Sequence, residues 1–123
     1  MSYEQLLCHL VGDYILQSHD MALNKTRSIT WATYHGLAYS LPFAFIATAP
    51  AVIVICITHI LIDRFAVARY VTRAKNYIFG SGNKKALTEE YPTNTPPYLS
   101  TWLVIILDNT LHLLINYFAV KYL

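Results

Sequence analysis

The stretch 51–71, AVIVICITHILIDRFAVARYV, runs for twelve residues before its first formally charged side chain, Asp63. A run this long and apolar must be surrounded by a large core or by lipid. Three more apolar segments accompany it: YEQLLCHLVGDYILQS (3–18), ITWATYHGLAYSLPFAFIAT (29–48) and LSTWLVIILDNTLHLLINYFAVKYL (99–123). With 55% hydrophobic and 13% charged residues and a mean hydropathy of +0.37, the chain has too little charge to clothe a water-facing surface. The pattern predicts an all-α integral membrane bundle of about four helices, forming a single membrane-embedded domain over 1–123. The alternative, a soluble helical bundle, would not depend on detergent. There is no room for a separate soluble catalytic domain, so any chemistry must lie among the helices.

The first segment is the shortest. As a helix it reaches about 24 Å, against roughly 30 Å of hydrocarbon, so a tilted or partial insertion is expected. Pro42 should kink the second helix, and the APA around Pro50 should form a tight turn into the third. Between the third and fourth helices, TRAKNYIFGSGNKKALTEEYPTNTPPY reads as a polar loop, with a short interfacial helix carrying Tyr70, Tyr77 and Phe79. Eight of the nine basic residues (Lys25, Arg27, Arg64, Arg69, Arg73, Lys75, Lys84 and Lys85) flank the first-to-second and third-to-fourth connections. The positive-inside rule places those loops in the cytoplasm and both termini outside, in what would be a bacterial inner membrane. The N-terminus lacks the basic start and cleavage site of a secretory signal. A formal net charge of +2 gives no reason to expect nucleic acid. Cys8 and Cys56 read as buried thiols, and a homo-oligomer is compatible with the pattern.

Polar residues recur inside these apolar segments at one spacing. His9 and Asp13 are four apart, as are His59 and Asp63, and Asp108 and His112 repeat the spacing in reverse. Residues four apart share a helix face. On the charge-derived topology the fourth helix runs opposite to the first and third, so the reversal keeps each His one turn nearer the outside than its Asp. His35 lies about 9 Å inside the cytoplasmic edge and Asp63 and Asp108 about 12–15 Å, which allows a common layer. Each ionised aspartate costs about 3 kcal/mol at mid-bilayer, and three together approach 10 kcal/mol. No Lys or Arg lies within the apolar cores, and Arg64 points about 100° away from Asp63, so basic partners are not expected. A divalent metal offsets the charge instead. Seven candidate ligands (His9, Asp13, His35, His59, Asp63, Asp108 and His112) exceed the four of a closed zinc site, and the mixed N/O set suits zinc first, then Mn, Fe or Co. The count favours two ions.

The motifs HLVGDYILQ, THILID and DNTLHLL resemble a family of small phage and bacterial integral membrane proteins known as domain-of-unknown-function family 3307. That family is similar in style to predicted membrane-bound metal-dependent hydrolases. The resemblance implies metal-binding roles for His9, Asp13, His59, Asp63, Asp108 and His112. Asn109 departs from it, standing where glutamine is common. The expected activity is hydrolysis of a phosphoester or pyrophosphate in a lipid-like substrate by metal-activated water, with His35 a further ligand or the proton donor to the leaving group. Two other classes fit the same residues. One is a metal-stabilised phage or bacterial membrane module that binds a host membrane partner; the other is an ion or proton carrier.

Overall fold

The computed structural model describes residues 1–80 and 84–123, and among these it is all-α, with six α-helices and no strand. The chain divides into two compact units. The first joins Met1–Phe65 to His112–Leu123, and the second is Ala66–Leu111.

In the first unit, Ser2 caps helix α1 (Tyr3–Leu10) by accepting from the Gln5 amide at 3.3 Å. The helix then widens into a π-helical turn over Val11–Ile15. Ser18 caps a short helix α2 (His19–Asn24) in the same way. Helix α3 (Ile29–Ser40) tightens into a 3-10 turn over Leu41–Phe45. The cause is Pro42, which has no N–H to give to an α-helical ladder. The expected kink is thus a change of helix type. The turn that follows precedes Pro50 rather than containing it. Thr48 caps helix α4 (Ala49–Arg64), and Pro50 occupies its first turn, where a missing N–H costs nothing. Gly36 lets α3 and α4 approach closely: a Cβ there would collide with the Ile60 side chain and stand 3.4 Å from the Cys56 carbonyl oxygen.

The third apolar segment, expected as one helix over 51–71, is broken after Arg64. Ala66 takes a left-handed conformation (φ 49°, ψ 47°), a local strain of about 1–2 kcal/mol for a residue with a Cβ. The second unit follows with helix α5 (Val67–Phe79), a 3-10 turn over Lys84–Leu87 and the first part of helix α6 (Pro97–Tyr122). Residues 81–83 of the expected loop lie outside the described residues. At 26 residues, α6 is long and apolar enough to cross a membrane.

Large apolar side chains are exposed while polar ones are buried. Along α4, Ile53, Ile57 and Leu61 are exposed at four-residue intervals while His59 and Asp63 are buried. Phe45 on the 3-10 turn is 90% exposed, and Leu114 and Phe118 on α6 also face outward. Inside the first unit, Tyr39, Phe43, Ala51, Ile55 and Ala119 form one apolar cluster. Gln5, His9, Asp13, His35, Ser40, His112 and Asn116 are buried in the same unit.

Candidate metal centre

Four stretches of the first unit each present a polar pair one helical turn apart. His9 and Asp13 come from α1 and its π turn, His35 and Tyr39 from α3, His59 and Asp63 from α4, and His112 and Asn116 from α6. All eight are buried. Gly12 makes the approach of the π turn feasible, since a Cβ there would stand 2.6 Å from Tyr39 Cδ2 and 2.9 Å from the Tyr39 carbonyl oxygen.

His59 lies at the middle. Its ring is stacked between Tyr39 (3.7 Å, 18°) and His112 (4.0 Å, 30°). His59 Nε2 is 3.5 Å from Asp13 Oδ1 and 3.2 Å from Asp63 Oδ2. His35 Nε2 faces the same two oxygens at 3.2 and 3.3 Å, and His112 Nε2 is 3.4 Å from Asp63 Oδ1. Two sets of three ligand atoms therefore lie within 4.8 Å of one another: Asp13, His35 and His59; and His59, Asp63 and His112.

These residues fit a divalent ion on two grounds. Four N–O separations of 3.2–3.5 Å join two imidazole nitrogens to two carboxylate oxygens, and one of them, His35 Nε2 to Asp13 Oδ1 at 3.2 Å, also has hydrogen-bond geometry. An N–H···O bond is typically about 2.9–3.0 Å, whereas ligand atoms around a tetrahedral ion with bonds of about 2.0–2.2 Å are about 3.3–3.6 Å apart. In addition, both ring nitrogens of His59 are buried without a hydrogen bond of acceptable geometry. An imidazole so placed bears the full cost of desolvation unless something else takes its lone pair.

His9 stands behind this group. Asn116 Nδ2 donates to the Tyr39 hydroxyl at 2.6 Å, which leaves that hydroxyl's own proton to donate to His9 Nδ1 at 2.7 Å. His9 Nδ1 is also 3.5 Å from Asp13 Oδ2. The ring belongs to neither set of three. Asp108 is half-buried in the second unit and is likewise in neither set. Gln17 and Cys56 are half-buried in the first unit, and Asn109 is half-buried in the second.

One expectation is overturned. The sequence gives no reason to expect a basic partner, yet Lys25 Nζ, at the C-terminal end of α2, is 3.0 Å from Asp63 Oδ2. A loop lysine reaches into the site because the chain between α2 and α3 folds back toward the end of α4, where Arg64 Nη1 also donates to the Thr26 carbonyl at 2.9 Å. With Asp13, Asp63, Lys25 and neutral imidazoles the site carries −2 + 1 = −1, and a single divalent ion would bring it to +1.

Tyr39, Gln5 and Asn116 are not among the residues expected at the site from the sequence. The signal was present: Tyr39 follows His35 by four residues, Asn116 follows His112 by four, and Gln5 precedes His9 by four. Lys25 had no such signal, because its contact is between distant parts of the chain.

Comparison with curated proteins and with solved structures gives no match. Residues 2–121, nearly the whole chain, match the family described as protein of unknown function (DUF3307), and the chain belongs to that family.

Proposed function

We propose that the protein is a membrane-embedded, metal-dependent hydrolase acting on a phosphoester or pyrophosphate of a lipid-like substrate. A single divalent ion, zinc before Mn, Fe or Co, would be held by ligands drawn from Asp13, His35, His59, Asp63 and His112. The observation that carries this reading is the convergence of three imidazole Nε2 atoms on two carboxylates inside a chain whose exposed face is apolar. One ion is favoured over two because both ligand sets need His59, whose Nε2 has one lone pair to give. The four spanning segments, the cytoplasmic loops and the bacterial inner membrane are part of the same proposal, supported by the apolar exterior and the clustered basic residues.

A bound divalent ion would supply a water acidic enough to lose its proton near neutral pH, together with positive charge for the substrate's oxygens. The protein's own groups would do the rest. Lys25, with 19% of its side chain exposed, is the most accessible charged member of the site and is placed to exchange Asp63 for an anionic phosphate. His35 lies between both carboxylates and is positioned to carry a proton to the departing oxygen when it is not a ligand. Tyr39 and Asn116 keep His9 in one orientation beside the ligands.

The depth of the site favours a second reading. His35, His59 and His112 are each at most 2% exposed, as expected of a closed metal site in a module that binds a host membrane partner. Metal analysis of protein purified in detergent, followed by phosphate release from phosphatidate and a polyprenyl diphosphate in mixed micelles, tests both. Hydrolysis predicts bound metal and turnover that His59→Ala abolishes. Bound metal with no turnover under zinc, manganese, iron or cobalt would leave the module reading in place.

A further inference from the structure

The polar cluster leaves helix α5 unexplained. At 100° per residue, Val67, Tyr70, Val71, Ala74, Tyr77 and Ile78 fall on one side of the helix. An amphipathic helix of a water-soluble domain turns such a face inward. Here Tyr70, Tyr77 and Ile78 are 62%, 38% and 67% exposed, and Ala74 is exposed beside them. It is the opposite, polar side that is anchored. Thr72 is fully buried, Arg73 Nη2 is 3.1 Å from Glu90 Oε1, Asn76 Nδ2 donates to the Glu90 carbonyl, and the Lys75 ammonium lies 5.6 Å over the Tyr91 ring.

We infer that the apolar face of α5 is a docking surface for the acidic head-group region of a lipid bilayer. The helix carries Arg69, Arg73 and Lys75 and no acidic residue; Arg73 is paired with Glu90, so the exposed Arg69 and the half-buried Lys75 supply the positive charge that complements an anionic lipid surface. Tyrosines beside basic residues around an aliphatic strip are the composition that settles at head-group level. A second copy of the chain is disfavoured as the cover, since two-fold pairing of this strip would bring the same cations together. The inference rests on the membrane part of the proposed function and is independent of metal and hydrolysis.

The test uses the full chain in vesicles of phosphatidylcholine alone or mixed with phosphatidylglycerol. Nitroxide labels at Ala74→Cys and Ile78→Cys, in a Cys8→Ser, Cys56→Ser background, are compared with one at Leu114→Cys on the outward face of α6. The α5 labels should be reached several-fold more readily by oxygen than by a water-soluble nickel chelate, and should lie deeper with phosphatidylglycerol present. On unsubstituted protein, hydroxyl-radical labelling of Tyr70 and Tyr77 should fall several-fold when phosphatidylglycerol is added, which covers the case in which the labelled variants misfold. Water-exposed α5 labels with a lipid-exposed Leu114 label would overturn the docking surface while sparing the membrane reading. Water exposure at all three positions would overturn both. Equal immersion in the two lipids would overturn the acidic head-group assignment, and spin–spin broadening at Ala74→Cys would show a second copy in its place.

Discussion

Asp63 is contested by two kinds of partner. Lys25 holds one of its oxygens at 3.0 Å, while three histidines crowd around the carboxylates. Replacing Lys25 by Met removes a competing charge and leaves the site more negative. Metal affinity, measured by competition with a chromogenic chelator, should therefore rise several-fold, whereas turnover of an anionic substrate should fall because its phosphate loses a partner. Tyr39→Phe keeps the ring against His59 but deprives His9 and Asn116 of their shared hydroxyl. We expect a loss of about 1–3 kcal/mol in stability from the stranded polar groups and about a 10-fold or greater loss of metal affinity, read by thermal unfolding and calorimetry. His59→Ala should lose the metal outright, while Asp108→Ala, outside both ligand sets, should retain it. Most of the buried polar residues were legible from a single rule, four-residue spacing within an apolar run. Lys25 was not, since a charge next to a turn looks the same whether it faces water or folds back onto a carboxylate. Asp108 and Asn116 stand at the same spacing on either side of His112, and Asn116 is the one that reaches Tyr39.

At the level of the element, helix positions were legible where apolar runs were long, and their ends were less so. The split of the third segment at Phe65–Ala66 has no glycine or proline to announce it, so nothing local in the sequence marked the break. The π turn was equally hidden, because its five residues, VGDYI, carry ordinary helical patterning. Its function is nonetheless definite. A π turn holds one more residue than the α-helical path would, and it sets the rotation of everything before it. Gly12→Ala tests the fit of this turn. Alanine should favour the helix by about 1 kcal/mol, but its methyl would meet both the ring and the backbone oxygen of Tyr39, and overpacking of that kind costs about 1–3 kcal/mol. The clash should win, with a lower melting temperature and weaker metal binding in the same variant.

For the whole molecule, a ligand that binds only the folded chain adds RT ln(1 + [L]/Kd), about 2.7 kcal/mol at a hundred times Kd. Stripping the ion with a chelator should therefore lower the melting temperature in detergent by several degrees, and adding zinc back should restore it. The same treatment of His59→Ala should change nothing. The apolar exterior and the polar interior also pull in opposite directions during biosynthesis. If the helices enter the bilayer as proposed, each aspartate that equips the centre makes its helix harder to deliver there, by about 3 kcal/mol on the insertion scale. Neutral replacements such as Asp63→Asn should consequently enter the bilayer more readily than the native chain while being unable to assemble the centre, so yield and competence would move apart. A variant that expresses better than its parent is then the one to suspect of having lost its chemistry.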